Sequence, residues 1–418
     1  MRQSSLAVSA LTLALVTGLI TAAGGMPSDQ RSKGGHQPVV IAIGDSFASG
    51  EGGQFAGSIY NFGLGVEAGR MAADYGAHAY NDNVFYHDAF GNPISAGAEI
   101  VRCHRSDTAE INQVAAATDF RGINLACSGA RTADVRNRSQ HGQPPQIDQL
   151  RSIAINPAYD IQLIVVSIGG NDMGFEDILA DCIELFTTGS INCGTNGSDA
   201  RVRAGAAGAR PLITATLNDI SAVMRDSGYP DGSYSFVYQG PPNLFAGSKD
   251  RRTVKGPVWQ NYKPQSPGVP MSNGTVDWTR SMAQREVNRV MREAAAAADN
   301  PRIQFLDLTR AFSGHELSHT ATTLIRCDPA NISTSAATCR KSPAPAAATG
   351  EWVVPLDSDF VLGSLLETAR MAQTYHPNRF GQVAIGTCVA EAMSESWETV
   401  YCQGRASKSP QSNTISAK

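Results

Sequence analysis

Four short segments of this 418-residue chain hold residue types that together could carry out acyl transfer. The first is Gly44-Asp45-Ser46, directly after the β-branched apolar run Val39 to Ile43. A serine hydroxyl is a weak nucleophile until a neighbouring base takes its proton. Its competing role here is to cap the helix that follows, as serine often does. The second segment is Cys127-Ser128-Gly129-Ala130-Arg131, and the third is Ser167-Ile168-Gly169-Gly170-Asn171-Asp172. The bare amide of Gly129 and the side-chain N–H groups of Asn171 are donors suited to an oxygen on which negative charge develops. Taken singly, both segments are also ordinary turn sequences. The fourth is His376-Pro377-Asn378-Arg379-Phe380-Gly381, ahead of an apolar run to Met393. Proline favours the first helical position, so His376 is expected in extended geometry just before a helix, where it can act as a base.

These residues need a scaffold that brings distant segments together. Val39 to Ile43 and Ile161 to Ile168 are short apolar runs without alternation, expected of buried strands in a parallel sheet. Weaker strand candidates are Ile123 to Ala126, Tyr234 to Tyr238 and Ile303 to Leu306. Helical patterns cover Pro211 to Met224 and Trp278 to Ala298, with Met282, Val287, Val290 and Met291 near helical spacing. Strands alternating with helices imply an α/β fold with a doubly wound, mostly parallel sheet. Ligands bind such sheets at the carboxyl ends of strands, and three of the four segments lie at strand exits.

Composition sets the class. A 42% hydrophobic and 17% charged chain is globular, and Lys+Arg 34 against Asp+Glu 38 leaves no basic excess for nucleic acid. Residues 1–24, with Arg2, an apolar run from Leu6 to Ile20 and then small residues, read as a secretory signal peptide. Residues 37–403 are expected to form a single domain with loop insertions at about 60–93, 247–274 and 328–351, and 404–418 a disordered polar tail. The insertion at 60–93 carries Tyr60, Phe62, Tyr75, Tyr80, Phe85 and Tyr86, which could flank the substrate or anchor the loop. Eight cysteines in an exported chain imply disulfides. The expected pairs are Cys103 with Cys127 and Cys182 with Cys193, leaving Cys327, Cys339, Cys388 and Cys402 unassigned.

In this order the four segments resemble the blocks of the SGNH, or GDSL, hydrolases, especially the secreted lipases and esterases of actinomycetes. Cys103-His104-Arg105-Ser106 and Cys127-Ser128-Gly129-Ala130 are similar to the secreted subgroup as well. The resemblance runs from Val39 to about Cys388 and implies the three-layer, flavodoxin-like SGNH fold. It also implies a serine carboxylic-ester hydrolase acting on a small-molecule or lipid ester, with transient contact to a lipid surface and no cofactor or metal. Ser46 would be the nucleophile, His376 the base, and Ser46, Gly129 and Asn171 the oxyanion hole. The chain departs from the family at one position. Many members carry Asp three residues before the histidine, where this chain has Gln373. A Ser-His dyad is therefore expected, with a main-chain carbonyl of Gln373 or Thr374 orienting the ring; Asp357, Asp359 and Glu367 are the alternatives.

Three rival readings exist. His315-Glu316-Leu317-Ser318-His319 matches the H-E-x-x-H zinc-protease signature, but that motif needs a helix, and Gly314 before it and Thr320, Thr322 and Thr323 after it disfavour one. The same Ser-His machinery could pass the acyl group to a sugar, lipid or sterol hydroxyl, making an acyltransferase, and a non-catalytic binding protein is the third.

Overall fold

Strand β1 (Gln37–Gly44) buries Val39 to Ile43 completely. An unbroken apolar run of this kind needs cover on both faces of the sheet. Val39, Ile41 and Ile43 enter one hydrophobic core, and Val40 and Ala42 enter another on the opposite face. The computed structural model describes residues 35–53, 55–61, 68–73, 87–94, 98–175, 177–179, 181–182, 193, 197–252, 269, 271–322, 325–327, 347–354 and 374–417, with backbone alone at 55–61, 68–73, 282–283 and 325–327.

After β1 the elements run α1 (Ser46–Ser49), β2 (Phe55–Asn61), β3 (Ala68–Ala73), α2 (Glu110–Thr118), β4 (Arg121–Asn124), α3 (Thr132–Arg136), α4 (Gln146–Ala154) and β5 (Tyr159–Ser167). They continue as α5 (Ser198–Asp226), β6 (Ser235–Gln239), α6 (Asn273–Trp278), α7 (Gln284–Ala296), β7 (Ile303–Arg310), β8 (Ile325–Cys327), α8 (Arg379–Ala392), β9 (Thr399–Gln403) and β10 (Thr414–Ala417). The main sheet has seven strands in the order β10-β9-β7-β6-β5-β1-β4. All neighbours are parallel except β10, which is antiparallel to β9. Helices α4, α5 and α7 pack on one face through Leu150, Ile213, Leu217, Val290 and Met291. Helices α2 and α8 cover the other through Ile111, Val114, Ile385 and Val389. The result is a three-layer, doubly wound α/β fold. Because β4 and β5 lie on opposite sides of β1, the strand order reverses at β1, and ligands bind doubly wound sheets at the carboxyl end of such a position.

The expected strands appear with shifted ends, and three features differ from the sequence reading. Helix α5 begins at Ser198, with Pro211 inside it. The alanine-rich stretch before that proline has high helix propensity and carries the helix through it. The segment Trp278 to Ala298 begins at the last residue of α6 and runs through a π-turn over Thr279–Ala283 into α7. Residues beyond Gln403 are not a loose tail. Thr414–Ala417 adds β10 to the edge of the sheet, and Asn413 is buried with its amide donating to the Ala311 carbonyl at 3.0 Å. A polar segment can do this because strand pairing uses main-chain groups.

The insertion at 60–93 contributes to a separate small sheet of order β3-β2-β8. The aromatic side chains from Tyr60 to Tyr86, most of the other two insertions and residues 1–24 lie outside the described side chains. Disulfides join Cys103 to Cys127 and Cys182 to Cys193. A third joins Cys388 in α8 to Cys402 in β9, which the sequence reading left unassigned. Among the described residues no helix is long and apolar enough to cross a membrane.

Candidate active site

The exit of β1 is built for close approach. Gly44 has φ +138°, and a Cβ there would lie 1.8 Å from the Ser167 carbonyl oxygen, so only glycine fits beside the end of β5. The Gly44 main chain is clamped by one side chain: its N–H donates to Gln146 Oε1 at 2.8 Å and its carbonyl accepts from Gln146 Nε2 at 2.9 Å. Asp45 N–H then donates to the Ser167 carbonyl at 2.8 Å. The cap of α1 is Asp45, whose Oδ1 accepts from Phe47 N–H at 3.2 Å. Capping is therefore done by the residue before Ser46, and the serine hydroxyl is left for another partner. Burial pushes the Asp45 carboxyl up to about 7, against hydrogen bonds from Phe47 N–H and the Ser167 hydroxyl.

That partner is His376, whose Nε2 lies 2.7 Å from Ser46 Oγ. The cap of α8 is Asn378, accepting from Phe380 N–H at 3.0 Å and Gly381 N–H at 3.2 Å. Pro377 thus precedes the cap instead of taking the first helical position. The His376 carbonyl accepts from Val354 N–H and the Asn378 N–H donates to the Trp352 carbonyl, so the histidine is pinned on both sides. Its Nδ1 lies 3.2 Å from the Thr374 carbonyl oxygen. A carbonyl can only accept, so Nδ1 carries the proton and Nε2 is left bare toward the serine. Gln373, Asp357, Asp359 and Glu367 lie outside the described residues. The Phe47 ring flanks the imidazole at a centroid distance of 5.1 Å.

The donor segments sit at the neighbouring strand ends. Gly129 is exposed, with φ +73°. Asn171 Nδ2 donates to the Ala130 carbonyl at 2.9 Å, which uses one of its two N–H bonds and leaves the other free to bind. Among the described residues, the Ser46 and Gly129 N–H groups are spent on no other acceptor. The Asp172 carboxylate accepts from the Thr132 hydroxyl at 2.6 Å and from Thr132 N–H at 3.0 Å, tying the Asn171 turn to the start of α3 just beyond Gly129.

A sequence model described as the GDSL-like lipase/acylhydrolase family matches residues 89–324, more than half of the chain. The chain belongs to that family. The matched span includes Gly129 and Asn171, while Ser46 and His376 lie on either side of it. Among solved structures, this GDSL-like protein is similar to an extracellular lipase from Streptomyces rimosus, at 19% identity and a TM-score of 0.41, covering 86% of this chain and 100% of that one. A phospholipase A1 from Streptomyces albidoflavus gives 18% identity, a TM-score of 0.41 and coverage of 86% and 100%. An aryl esterase from M. smegmatis gives 13% identity, a TM-score of 0.28 and coverage of 71% and 92%. No curated protein matches.

The H-E-x-x-H segment of this GDSL-like protein does not form a zinc site. Residues 311–320 run through turns and isolated bridges, so His315 and His319 share no helix face. His315 is buried and stacked on Trp352 at 3.9 Å, with its two ring nitrogens against the Gly350 and Arg405 carbonyls at 2.8 Å and 3.1 Å. Glu316 accepts from Gly314 N–H at 2.7 Å. These residues tie a loop together, and among the described residues no group of three or more His, Cys, Asp or Glu could hold a metal. The sequence reading named Asp172 only as the end of the third segment, without a role, and missed Gln146 and the buried Glu51. Glu51 had a local signal, being an acid inside the otherwise small Ser49-Gly50-Glu51-Gly52-Gly53, and Gln146 had none.

Proposed function

We propose that this GDSL-like protein is a secreted carboxylic-ester hydrolase that works through a Ser46-His376 dyad. The 2.7 Å contact between Ser46 Oγ and His376 Nε2, across 330 positions of sequence, carries the reading. As Ser46 Oγ attacks the ester carbonyl, its proton passes to His376 Nε2 and the carbonyl oxygen becomes an oxyanion. The N–H groups of Ser46 and Gly129 and the spare N–H of Asn171 receive that charge. The intermediate collapses by breaking the bond to the alcohol oxygen, which takes the proton from the imidazolium. Water then repeats the sequence: His376 takes its proton as the water oxygen attacks the acyl-serine, the bond from the acyl carbon to Ser46 Oγ breaks, Oγ takes the proton back from the imidazolium, and the carboxylic acid leaves. Throughout, the Thr374 carbonyl accepts from Nδ1–H and holds the tautomer that keeps Nε2 basic toward Ser46.

The substrate class is a small-molecule or lipid ester, and the catalytic unit is one domain. Export through the N-terminal apolar segment is supported by the three disulfides among the described residues. The test is a panel of nitrophenyl esters, short to long, on wild type and Ser46→Ala, with organophosphonate labelling of both. Wild type hydrolyses the esters and is labelled; Ser46→Ala loses labelling and about 10³-fold or more of the rate. Equal rates for the two proteins refute the dyad.

A further inference from the structure

The carboxylate absent three residues before His376 has a counterpart on the nucleophile's own loop. Glu51 follows α1 and is fully buried. Its N–H donates to the Ser46 carbonyl at 3.2 Å. The next residue, Gly52, is so close to the base that a Cβ on it would lie 3.3 Å from His376 Cβ. One carboxylate oxygen, Oε1, lies 2.8 Å from His104 Nδ1. The other, Oε2, accepts the hydroxyl of Ser128, the residue before Gly129. His104 and Ser128 each follow a cysteine of the Cys103–Cys127 disulfide, and Ser128 N–H donates to the Cys103 carbonyl at 3.1 Å. A covalent staple thus presents two partners to one buried acid, which touches the nucleophile turn through its main chain.

We propose that Glu51 is a positioning residue for ester hydrolysis: its carboxylate holds the Ser128-Gly129 segment in place and supplies the negative charge beside the His376 imidazolium that the family's Asp otherwise supplies. The inference rests on the Ser46-His376 reading above. Burial by itself raises this carboxyl, but attraction to His104 and His376 and the Ser128 hydrogen bond outweigh burial and hold it below the usual carboxylate range. The charge is therefore present when the imidazolium forms. The titratable groups that act on it are His104 and His376; His104 in turn acts on His141, which also feels Arg102, Glu99 and Asp134.

Glu51→Gln keeps an oxygen that can accept from Ser128 and removes the charge. Ser128→Ala keeps the charge and removes one anchor of the donor loop. Kinetics on a nitrophenyl ester between pH 5 and 9, normalised to sites titrated by an organophosphonate, separate the effects. For Glu51→Gln the expected result is a fall in kcat of about 10- to 100-fold with KM within about threefold, smaller than or similar to the loss of an oxyanion donor. The acidic limb of its kcat/KM profile moves to lower pH, because an imidazolium without its neighbouring charge loses its proton more readily. Ser128→Ala lowers kcat by about three- to tenfold without moving that limb. A purely structural role would change the titrated fraction and leave kcat per site and the limb where they are, and that outcome overturns the proposal. If wild type is not labelled, or Ser46→Ala stays active, it is the dyad reading that fails.

Discussion

Glu110 offers a test of how a buried acid behind the nucleophile responds to pH. It opens α2, is fully buried, and its Oε1 accepts from Gln239 Nε2 at 2.6 Å. Glu110 Oε2 and Gln239 Oε1 are both buried without a hydrogen-bond partner. Buried acceptors without a donor are costly as long as the acid is ionised, and a proton on Oε2 turns one of them into a donor. Burial pushes the Glu110 carboxyl from 4.5 up to about 8; the Gln239 hydrogen bond opposes this and negative Asp45 adds to it. The folded form therefore holds a proton that the unfolded chain releases between pH 4.5 and about 8. Stability is fully present below the unfolded value, falls as pH rises through that window, and levels off above it. The shift of about 3.5 pH units sets a ceiling of about 5 kcal/mol at 1.36 kcal/mol per unit, and local relaxation should leave about 2–4 kcal/mol. Glu110→Gln replaces the acid with an amide that pairs with Gln239 at every pH. Urea unfolding followed by tryptophan fluorescence should show the variant close to wild type at pH 5 and more stable by about 2–4 kcal/mol at pH 8.5. Asp45, also raised, is coupled to Glu110, so the comparison is repeated in an Asp45→Asn background, where the pH-dependent difference should persist. A difference that stays constant within about 0.5 kcal/mol from pH 5 to 9 refutes the argument.

Four further results are expected. Asn171→Ala lowers kcat on a nitrophenyl ester by about 10²–10³ with little change in KM, since in the proposed mechanism its spare N–H binds the developing oxyanion and not the ground state; an unchanged kcat removes Asn171 from the site. Asn or Gln at Asp357, Asp359 and Glu367 alters kcat/KM by less than about threefold, because the Thr374 carbonyl already holds His376 Nδ1. Reduction of the disulfides lowers the melting temperature, with Cys388–Cys402, at a separation of 14 residues, worth about 3 kcal/mol; paired Ser variants at these two positions check this by urea titration. Truncation after Gly404 uncovers the edge of β9 and removes the Asn413 amide from the Ala311 carbonyl, so the shortened chain should unfold at lower urea concentration than the full one.

What could be read from the chain alone follows from where each constraint lies. The runs at Val39 to Ile43 and Ile161 to Ile168 announce themselves because both faces of those strands are largely buried, which leaves them mostly apolar, with Gln162 and Ser167 the polar members of the second. Ser46 is legible for a related reason: it follows a strand end at a turn that demands glycine, as Gly44 does against Ser167, whereas His376 is marked by the helix start that follows it. The groups that hold them carry no such mark. Thr374 acts through a main-chain oxygen that every residue possesses, so nothing at that position distinguishes it. Strand β10 pairs through its backbone, and its polar side chains read as a tail. Glu51 meets its partners His104 and Ser128 at separations of 53 and 77 residues, and no local pattern links such distances. A carboxylate placed three residues before the histidine would have been visible from spacing. One placed on the nucleophile loop becomes visible only when the fold brings that loop, the Cys103–Cys127 staple and the base to the same end of the sheet. The missing Asp is thus better read as a change in where the negative charge is stored than as a site with one group fewer.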